Sequence, residues 1–170
     1  MPESLRDLPL VRDARLDHVA VAVRDVAAAA ALYRDVLGAE FLYGADQPDQ
    51  GFRFVQYRFP GGGKIELVTP NGSGFLSRFI ERQGEGVHHV TLRVPDLEDQ
   101  IARLRAGGVD LTLVDLEDEH WKEAFIHPRD ARGVLIQLAE SPHEDDETAR
   151  HLAAAFPEAA LLQSAGQPFT

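Results

Sequence analysis

Four residues that could bind a metal ion occur at matched positions in two similar segments of the chain. His18 in LDHVAVAVRDV corresponds to His89 in VHHVTLRVPDL, and Glu66 in KIELV corresponds to Gln137 in LIQLA, both pairs with the same offset in sequence position. Two imidazoles and a carboxylate are suitable ligands for Co, Ni, Mn, Fe or Zn. The chain contains no cysteine, so any metal must be held by nitrogen and oxygen ligands.

Each of these residues also has a structural interpretation. A histidine at the start of a strand is more often a hydrogen-bonded surface or edge residue. A glutamate between apolar neighbours usually lies on the solvent face of a half-buried strand. The shared offset of all four residues favours a common site. We therefore predict one divalent ion bound by His18, Glu66 and His89, with Gln137 as a weak fourth ligand or a near neighbour.

The local pattern around these residues predicts the elements that would position them. Apolar and polar residues alternate after both His18 and His89, which is typical of a half-buried strand. Asp25 and Asp96 follow these strands at positions where a carboxylate can cap a helix. Three further strand patterns follow each helical segment, so each copy predicts the order strand, helix and three strands.

The repeat predicts an α+β fold in which two paired βαβββ modules form an eight-stranded open cup. The modules span residues 14–72 and 85–140, and we expect a pseudo-two-fold axis to relate them. Residues 73–84 predict a linker helix, with Ser73 as a candidate cap. Residues 141–170 begin as an acidic segment and continue with a helix-like pattern, and we expect them to form a surface appendage.

The adjacent histidines His88 and His89 are expected on opposite faces of their strand, because side chains alternate along it. The offset of the repeat matches His89, and not His88, to His18, so His89 belongs to the predicted polar face. In the strand pattern GFRFVQYRF, either Gln56 or Tyr57 could line the cup, and the alternation does not decide between them.

The composition limits the partners of the protein. A formal net charge of −11 leaves no basic stripe for nucleic acid or for an anionic lipid surface. No apolar run approaches the roughly 20 residues of a membrane span. The charged start MPESLRD lacks the apolar core of a signal peptide. We therefore expect a cytoplasmic protein that acts on a small molecule.

The stretch from Leu16 to Glu140 resembles the vicinal oxygen chelate superfamily. Three segments carry the resemblance, LDHVAVAVRDVAAAAALYRDVLG, GEGVHHV and FIHPRDARGVLIQLAE, and they look most like methylmalonyl-CoA epimerases, with glyoxalase I as a close relative. The resemblance implies paired modules around one divalent metal, usually in a homodimer. It also assigns the metal ligands to the four residues that the repeat indicates: His18, Glu66, His89 and Gln137.

The chain departs from the epimerase pattern at the groups that transfer protons. In that family the last strand normally ends the ligand set with a glutamate that is also a catalytic base, whereas this chain has Gln137, whose amide cannot accept the proton. The family's second glutamate base, on the strand corresponding to GFRFVQYRF, has no acidic counterpart. The loop before the seventh strand offers Glu117, Asp118, Glu119 and His120 as replacements. His120 is favoured, because an imidazole with a pKa of about 6.5 can transfer protons at neutral pH.

These observations favour a divalent-metal-dependent epimerase, isomerase or lyase of the methylmalonyl-CoA epimerase or glyoxalase I type. The substrate would be a small carbonyl compound or an acyl-CoA, and the catalytic set would be Glu66, Gln137 and His120. Two alternatives stay open. A non-heme iron dioxygenase also uses two histidines and one carboxylate, but the related dioxygenases take the carboxylate from the last strand. A non-catalytic binding or resistance protein of the same fold would hold its ligand without a metal.

Overall fold

The computed structural model describes residues 11–163, and its strands and helices repeat one topology twice. The strands are β1 (Arg15–Ala22), β2 (Glu40–Gln47), β3 (Phe52–Arg58), β4 (Lys64–Pro70), β5 (Gly86–Arg93), β6 (Leu111–Asp115), β7 (Lys122–Ile126) and β8 (Ile136–Glu140). The helices are α1 (Val26–Ala30), α2 (Phe75–Gln83), α3 (Leu97–Ala106), α4 (Asp145–Ala155) and α5 (Glu158–Gln163). The described residues divide into two compact units, residues 18–88 with 144–163 and residues 11–17 with 89–143.

The first module places the parallel pair β1 and β4 beside the antiparallel strands β3 and β2. The Asp25 carboxylate accepts a hydrogen bond from the Ala28 N–H at 3.0 Å, which confirms the predicted cap of α1. The core of this module contains residues from α1 and from strands β3 and β4, among them Val26, Val55 and Leu67. Burial of these side chains holds one face of the strands against α1, so the polar residues that alternate with them occupy the other face.

The second module repeats this arrangement. Strands β5 and β8 are parallel, and β7 and β6 add to β8 as antiparallel strands. Asp96 accepts a hydrogen bond from the Asp99 N–H at 2.9 Å, as a helix cap does. Leu97, Ile101 and Leu138 belong to a separate core cluster. The equal topology confirms the duplication that the constant offset between the two sequence segments predicts.

The strand order is β2-β3-β4-β1 in the first module and β5-β8-β7-β6 in the second. Each module is a mixed four-stranded sheet with one parallel pair. The predicted α+β fold class is therefore confirmed. Within residues 11–163, no helix is long and apolar enough to cross a membrane.

Two helices differ from the sequence-based expectation. Helix α1 continues as a wider π-helical segment, Ala31–Val36, and the Leu37 N–H reaches the Leu32 carbonyl five residues back. Helix α2 begins after Gly74 without a side-chain cap, so the prediction of Ser73 as its cap was wrong.

The C-terminal helices belong partly to the core of the first module. Leu161 of α5 is 2% exposed and packs in the cluster that contains Val55 and Tyr57. Arg53 donates a hydrogen bond to the Leu161 carbonyl at 2.6 Å, and the Tyr57 hydroxyl donates to Glu158 at 2.7 Å. Burial raises the pKa of Tyr57 well above its usual range. The segment expected as a surface appendage therefore supplies a core residue.

Candidate active site

The candidate site starts with His18 on β1 and Glu66 on β4. Ala20 lies opposite Glu66 in the parallel ladder, and alternation puts His18 on the same face of β1 as Ala20. Both His18 and Glu66 are buried, and His18 Nε2 lies 3.6 Å from Glu66 Oε2. An imidazole and a carboxylate at this distance can bind the same cation.

Gln56 on β3 holds the Glu66 carboxylate from the neighbouring strand. The two residues are opposite each other in the ladder, and Gln56 Nε2 donates a hydrogen bond to Glu66 Oε2 at 2.8 Å. Tyr57 points instead into the core, which settles the ambiguity between these two positions. Gln56 Oε1 is buried and has no hydrogen-bond partner in the described part of the chain. Because an unsatisfied buried acceptor costs about 1–3 kcal/mol, this oxygen favours a bound water, ion or ligand beside Glu66.

The second module presents a comparable polar face. Thr91 lies opposite Gln137 in the ladder between β5 and β8, and His89 is on the same face of β5 as Thr91. The Thr91 hydroxyl donates to Gln137 Oε1 at 2.5 Å. The ring of Phe125 meets the His89 imidazole edge to face, with the ring centres 6.0 Å apart. These contacts fix the Gln137 amide and the His89 ring in buried positions.

Glu123 on β7 is an acidic residue of this face that the sequence reasoning missed. Its Oε2 atom accepts hydrogen bonds from Gln137 Nε2 at 2.6 Å and from the Trp121 indole N–H at 3.1 Å. Alternation with the buried Ala124 would have placed Glu123 on the polar face. The residue types of the preceding loop favour His120 instead, because an imidazole can transfer protons at neutral pH.

The structure places two of the four predicted metal ligands, His18 and Glu66, side by side in one unit. His89 and Gln137 are buried in the other unit, on the equivalent strands of the second module. An imidazole nitrogen and a carboxylate oxygen suit Co, Ni, Mn, Fe or Zn. The unsatisfied Gln56 oxygen beside Glu66 also fits a bound ion. Gln137 is engaged by Thr91 and Glu123.

Comparison with known proteins identifies the family. The sequence profile of the Glyoxalase/Bleomycin resistance protein/Dioxygenase superfamily matches residues 17–125. The chain belongs to this superfamily. The match covers β1, β4 and β5, the strands that carry the three candidate ligands, and it confirms the resemblance seen in the sequence.

Within the superfamily, the chain is similar to methylmalonyl-CoA epimerases. It is 39% identical over 130 residues to the ethylmalonyl-CoA/methylmalonyl-CoA epimerase of Cereibacter sphaeroides, a match that covers 73% of this chain and 96% of the relative. The crystal structure of methylmalonyl-CoA epimerase from Mycobacterium tuberculosis has a TM-score of 0.69 and 36% identity, over 75% of this chain and 88% of that one. A methylmalonyl-CoA epimerase in complex with methylmalonyl-CoA and NH4+ has a TM-score of 0.69 and 27% identity, over 76% and 95%.

His88 has a different environment from its neighbour His89, the candidate ligand. Its ring packs against Phe79 of α2, with ring centres 4.7 Å apart, and against Phe75 at 5.7 Å. Burial lowers the pKa of His88 to about 4, because the charged imidazolium is poorly solvated there. His88 is therefore a neutral packing residue at physiological pH.

His120, the proton-transfer residue favoured from the sequence, lies at the surface. Its side chain is 67% exposed, and its Nδ1 atom is 3.1 Å from His143 Nε2. The Asp118 carboxylate accepts a hydrogen bond from the His120 backbone N–H at 2.8 Å. The predicted catalytic role of His120 stays a prediction.

Proposed function

We propose that this protein is a divalent-metal-dependent epimerase that inverts the α carbon of an acyl-CoA thioester of the methylmalonyl type. One observation carries the proposal: a chain that is similar to methylmalonyl-CoA epimerases buries the pair His18 and Glu66 in one unit and His89 on the equivalent strand of the other. The structure of a relative in complex with methylmalonyl-CoA supports the choice of a thioester as substrate.

His18 and His89 would hold the metal through ring nitrogens, and Glu66 would hold it through a carboxylate oxygen. A divalent ion at this site would polarise the thioester carbonyl and stabilise the negative charge that develops on its oxygen. Gln137 serves better as a near neighbour than as a fourth ligand, because its amide oxygen already accepts a hydrogen bond from Thr91. With one carboxylate in the set, the site would keep a net positive charge when a divalent ion is bound, which would strengthen that polarisation.

Glu66 also supplies one of the two proton transfers that an epimerase needs. The reaction removes the α proton from one face of the carbon and returns a proton to the opposite face. Gln56 orients the Glu66 carboxylate by donating to Oε2, so its position does not depend on the metal alone. A positioned carboxylate of this kind contributes about 10²–10⁴-fold to the rate.

The test combines metal analysis with stereochemical analysis. The protein, purified and then loaded with Co²⁺, should contain about one ion per chain and should invert both epimers of methylmalonyl-CoA, with exchange of the α proton in deuterated water. His18→Ala and His89→Ala should lose both the metal and the inversion. His127→Ala is the matched control, because His127 lies in a turn and bonds to the Arg129 N–H.

Two results would contradict the proposal. Full metal content in the His18→Ala and His89→Ala double variant would remove the metal site. Metal-loaded wild type that exchanges no α proton would exclude the epimerase and would leave the dioxygenase, lyase or binding-protein alternatives. The homodimer implied by the resemblance and the cytoplasmic location remain predictions, which light scattering and cell fractionation test.

A further inference from the structure

Two further histidines, His120 and His143, lie side by side in the unit that contains residues 89–143. His120 belongs to the connection between β6 and β7, and His143 follows β8. His120 Nδ1 lies 3.1 Å from His143 Nε2, and the ring centres are 5.2 Å apart. Two ring nitrogens therefore face each other, although the residues are 23 positions apart in the sequence.

Buried Arg93 holds the two segments that carry these histidines. Its guanidinium donates a hydrogen bond to the His143 carbonyl at 2.6 Å and lies over the Trp121 ring, 5.7 Å from the ring centre. Arg93 is 6% exposed, and an ion pair with Asp17 at 3.7 Å restrains it further. Because Trp121 follows His120 in the chain, one buried side chain fixes the backbone beside both histidines.

The distance between the two nitrogens is the distance that a shared metal ion requires. A histidine nitrogen binds Zn²⁺ at about 2.0–2.1 Å. At bond angles of about 90–109°, two such nitrogens lie roughly 2.8–3.4 Å apart. The observed 3.1 Å falls inside this range. A small rotation of the rings would aim both lone pairs at one ion without movement of the backbone.

The charges around His120 favour a cation and the tautomer that binds it. His120 Nε2 lies 3.9 Å from Glu119 Oε1, and a carboxylate on that side favours a proton on Nε2. The Nδ1 atom that faces His143 then carries a lone pair. Asp118 accepts a hydrogen bond from the His120 backbone N–H at 2.8 Å and adds negative charge to the same loop, as Glu117 does.

We propose that His120 and His143 form a second, surface metal site that binds one divalent ion of Cu, Ni or Zn. His120 binds the ion through Nδ1 and His143 binds it through Nε2. The His120 side chain is 67% exposed, so water completes the coordination from the open side. Imidazole suits all three metals, and Cu²⁺ should bind most tightly, because the affinity of nitrogen sites for divalent ions is highest for copper.

This surface site does not depend on the proposed function. An ion here would link the connection between β6 and β7 to the segment after β8. With two protein ligands and water in the other positions, the ion exchanges with the buffer. Dialysis of the Co²⁺-loaded protein therefore empties the surface site, and only a titration with metal present detects it.

The experiment titrates Cu²⁺ into His18→Ala protein, in which the candidate active site lacks one ligand. Trp121 is the only tryptophan and follows His120 in the chain, so a paramagnetic Cu²⁺ ion at the surface site should quench its fluorescence. The quenching should saturate at about one ion per chain. Excess Zn²⁺, which has a filled d shell, should compete with Cu²⁺ and restore the fluorescence.

His120→Ala and His143→Ala, each added to the same background, should weaken Cu²⁺ binding by at least about tenfold, because even a group that only supports a ligand contributes roughly 10–100-fold. His127→Ala is the matched control and should bind as the background does, since His127 lies in a turn and accepts a hydrogen bond from the Arg129 N–H. Pulsed electron paramagnetic resonance of the Cu²⁺ complex should detect two coordinated imidazoles in the background and one in each histidine variant. The same variants in the wild-type chain repeat the comparison if His18→Ala does not fold.

Two outcomes would overturn the surface site. One is quenching that rises with Cu²⁺ concentration without saturating, which would show collisions with free ions only. The other is saturable quenching of unchanged affinity after both histidines are replaced, which would assign the ion to other ligands. The proposed function fails separately, since it is refuted only when the metal-loaded wild type exchanges no α proton.

Discussion

Replacing Leu161 by alanine should destabilise the first module, although the residue lies near the end of the chain. Its side chain is 2% exposed and packs with Val55, Tyr57 and Leu67. Truncating a buried leucine to alanine costs about 2–5 kcal/mol, depending on how far the site can collapse. Because α5 has only six residues and can shift, we expect about 3 kcal/mol, in the lower half of that range. For a protein of 170 residues this lowers Tm by about 6–12 °C.

The assay is thermal and urea unfolding of the metal-free protein, followed by circular dichroism. Leu37→Ala is the matched control, because Leu37 is 51% exposed and its truncation should stay within about 0.5 kcal/mol of wild type. Metal affinity should also fall in Leu161→Ala, since Gln56 lies between Val55 and Tyr57 on β3 and orients Glu66. Equal stability of the two variants would refute the packing of α5 into this core.

Three further predictions concern charge and metal. Gln137→Glu would replace the 2.6 Å hydrogen bond to Glu123 by a contact between two carboxyl groups, and their repulsion would raise the pKa of one of them. Urea unfolding should therefore show that the variant is less stable than wild type at pH 8 and that this difference shrinks towards pH 5. Burial lowers the pKa of His88 to about 4, so the neutral ring makes its full contribution to the free energy of unfolding above about pH 6.5. Up to about 3 kcal/mol of this contribution is lost as the pH falls towards 4. The metal-free His88→Phe variant should lose that part of the pH dependence, and an unchanged profile would contradict the role of burial. Chelation should lower the stability of the loaded wild type by about 2.7 kcal/mol for free metal at a hundred times Kd, and calorimetry of His18→Ala should show no such change.

The sequence predicted the topology of each module because this topology depends on local and repeated patterns. One constant offset relates His18 to His89 and Glu66 to Gln137, and strand alternation places each of them on a polar face. The helix caps Asp25 and Asp96 follow from the same repeat. These features require no knowledge of which strands are neighbours.

Contacts that depend on strand register could not be predicted in the same way. Gln56 pairs with Glu66 across ten residues, but Phe125 pairs with Gln137 across twelve, because the connection before β8, residues 127–135, is longer than the connection before β4, residues 59–63. The constant offset therefore misaligns the third strands and matches Glu123 with Phe52. The burial of Leu161 was missed for a related reason, since the tail follows both copies and has no repeat partner.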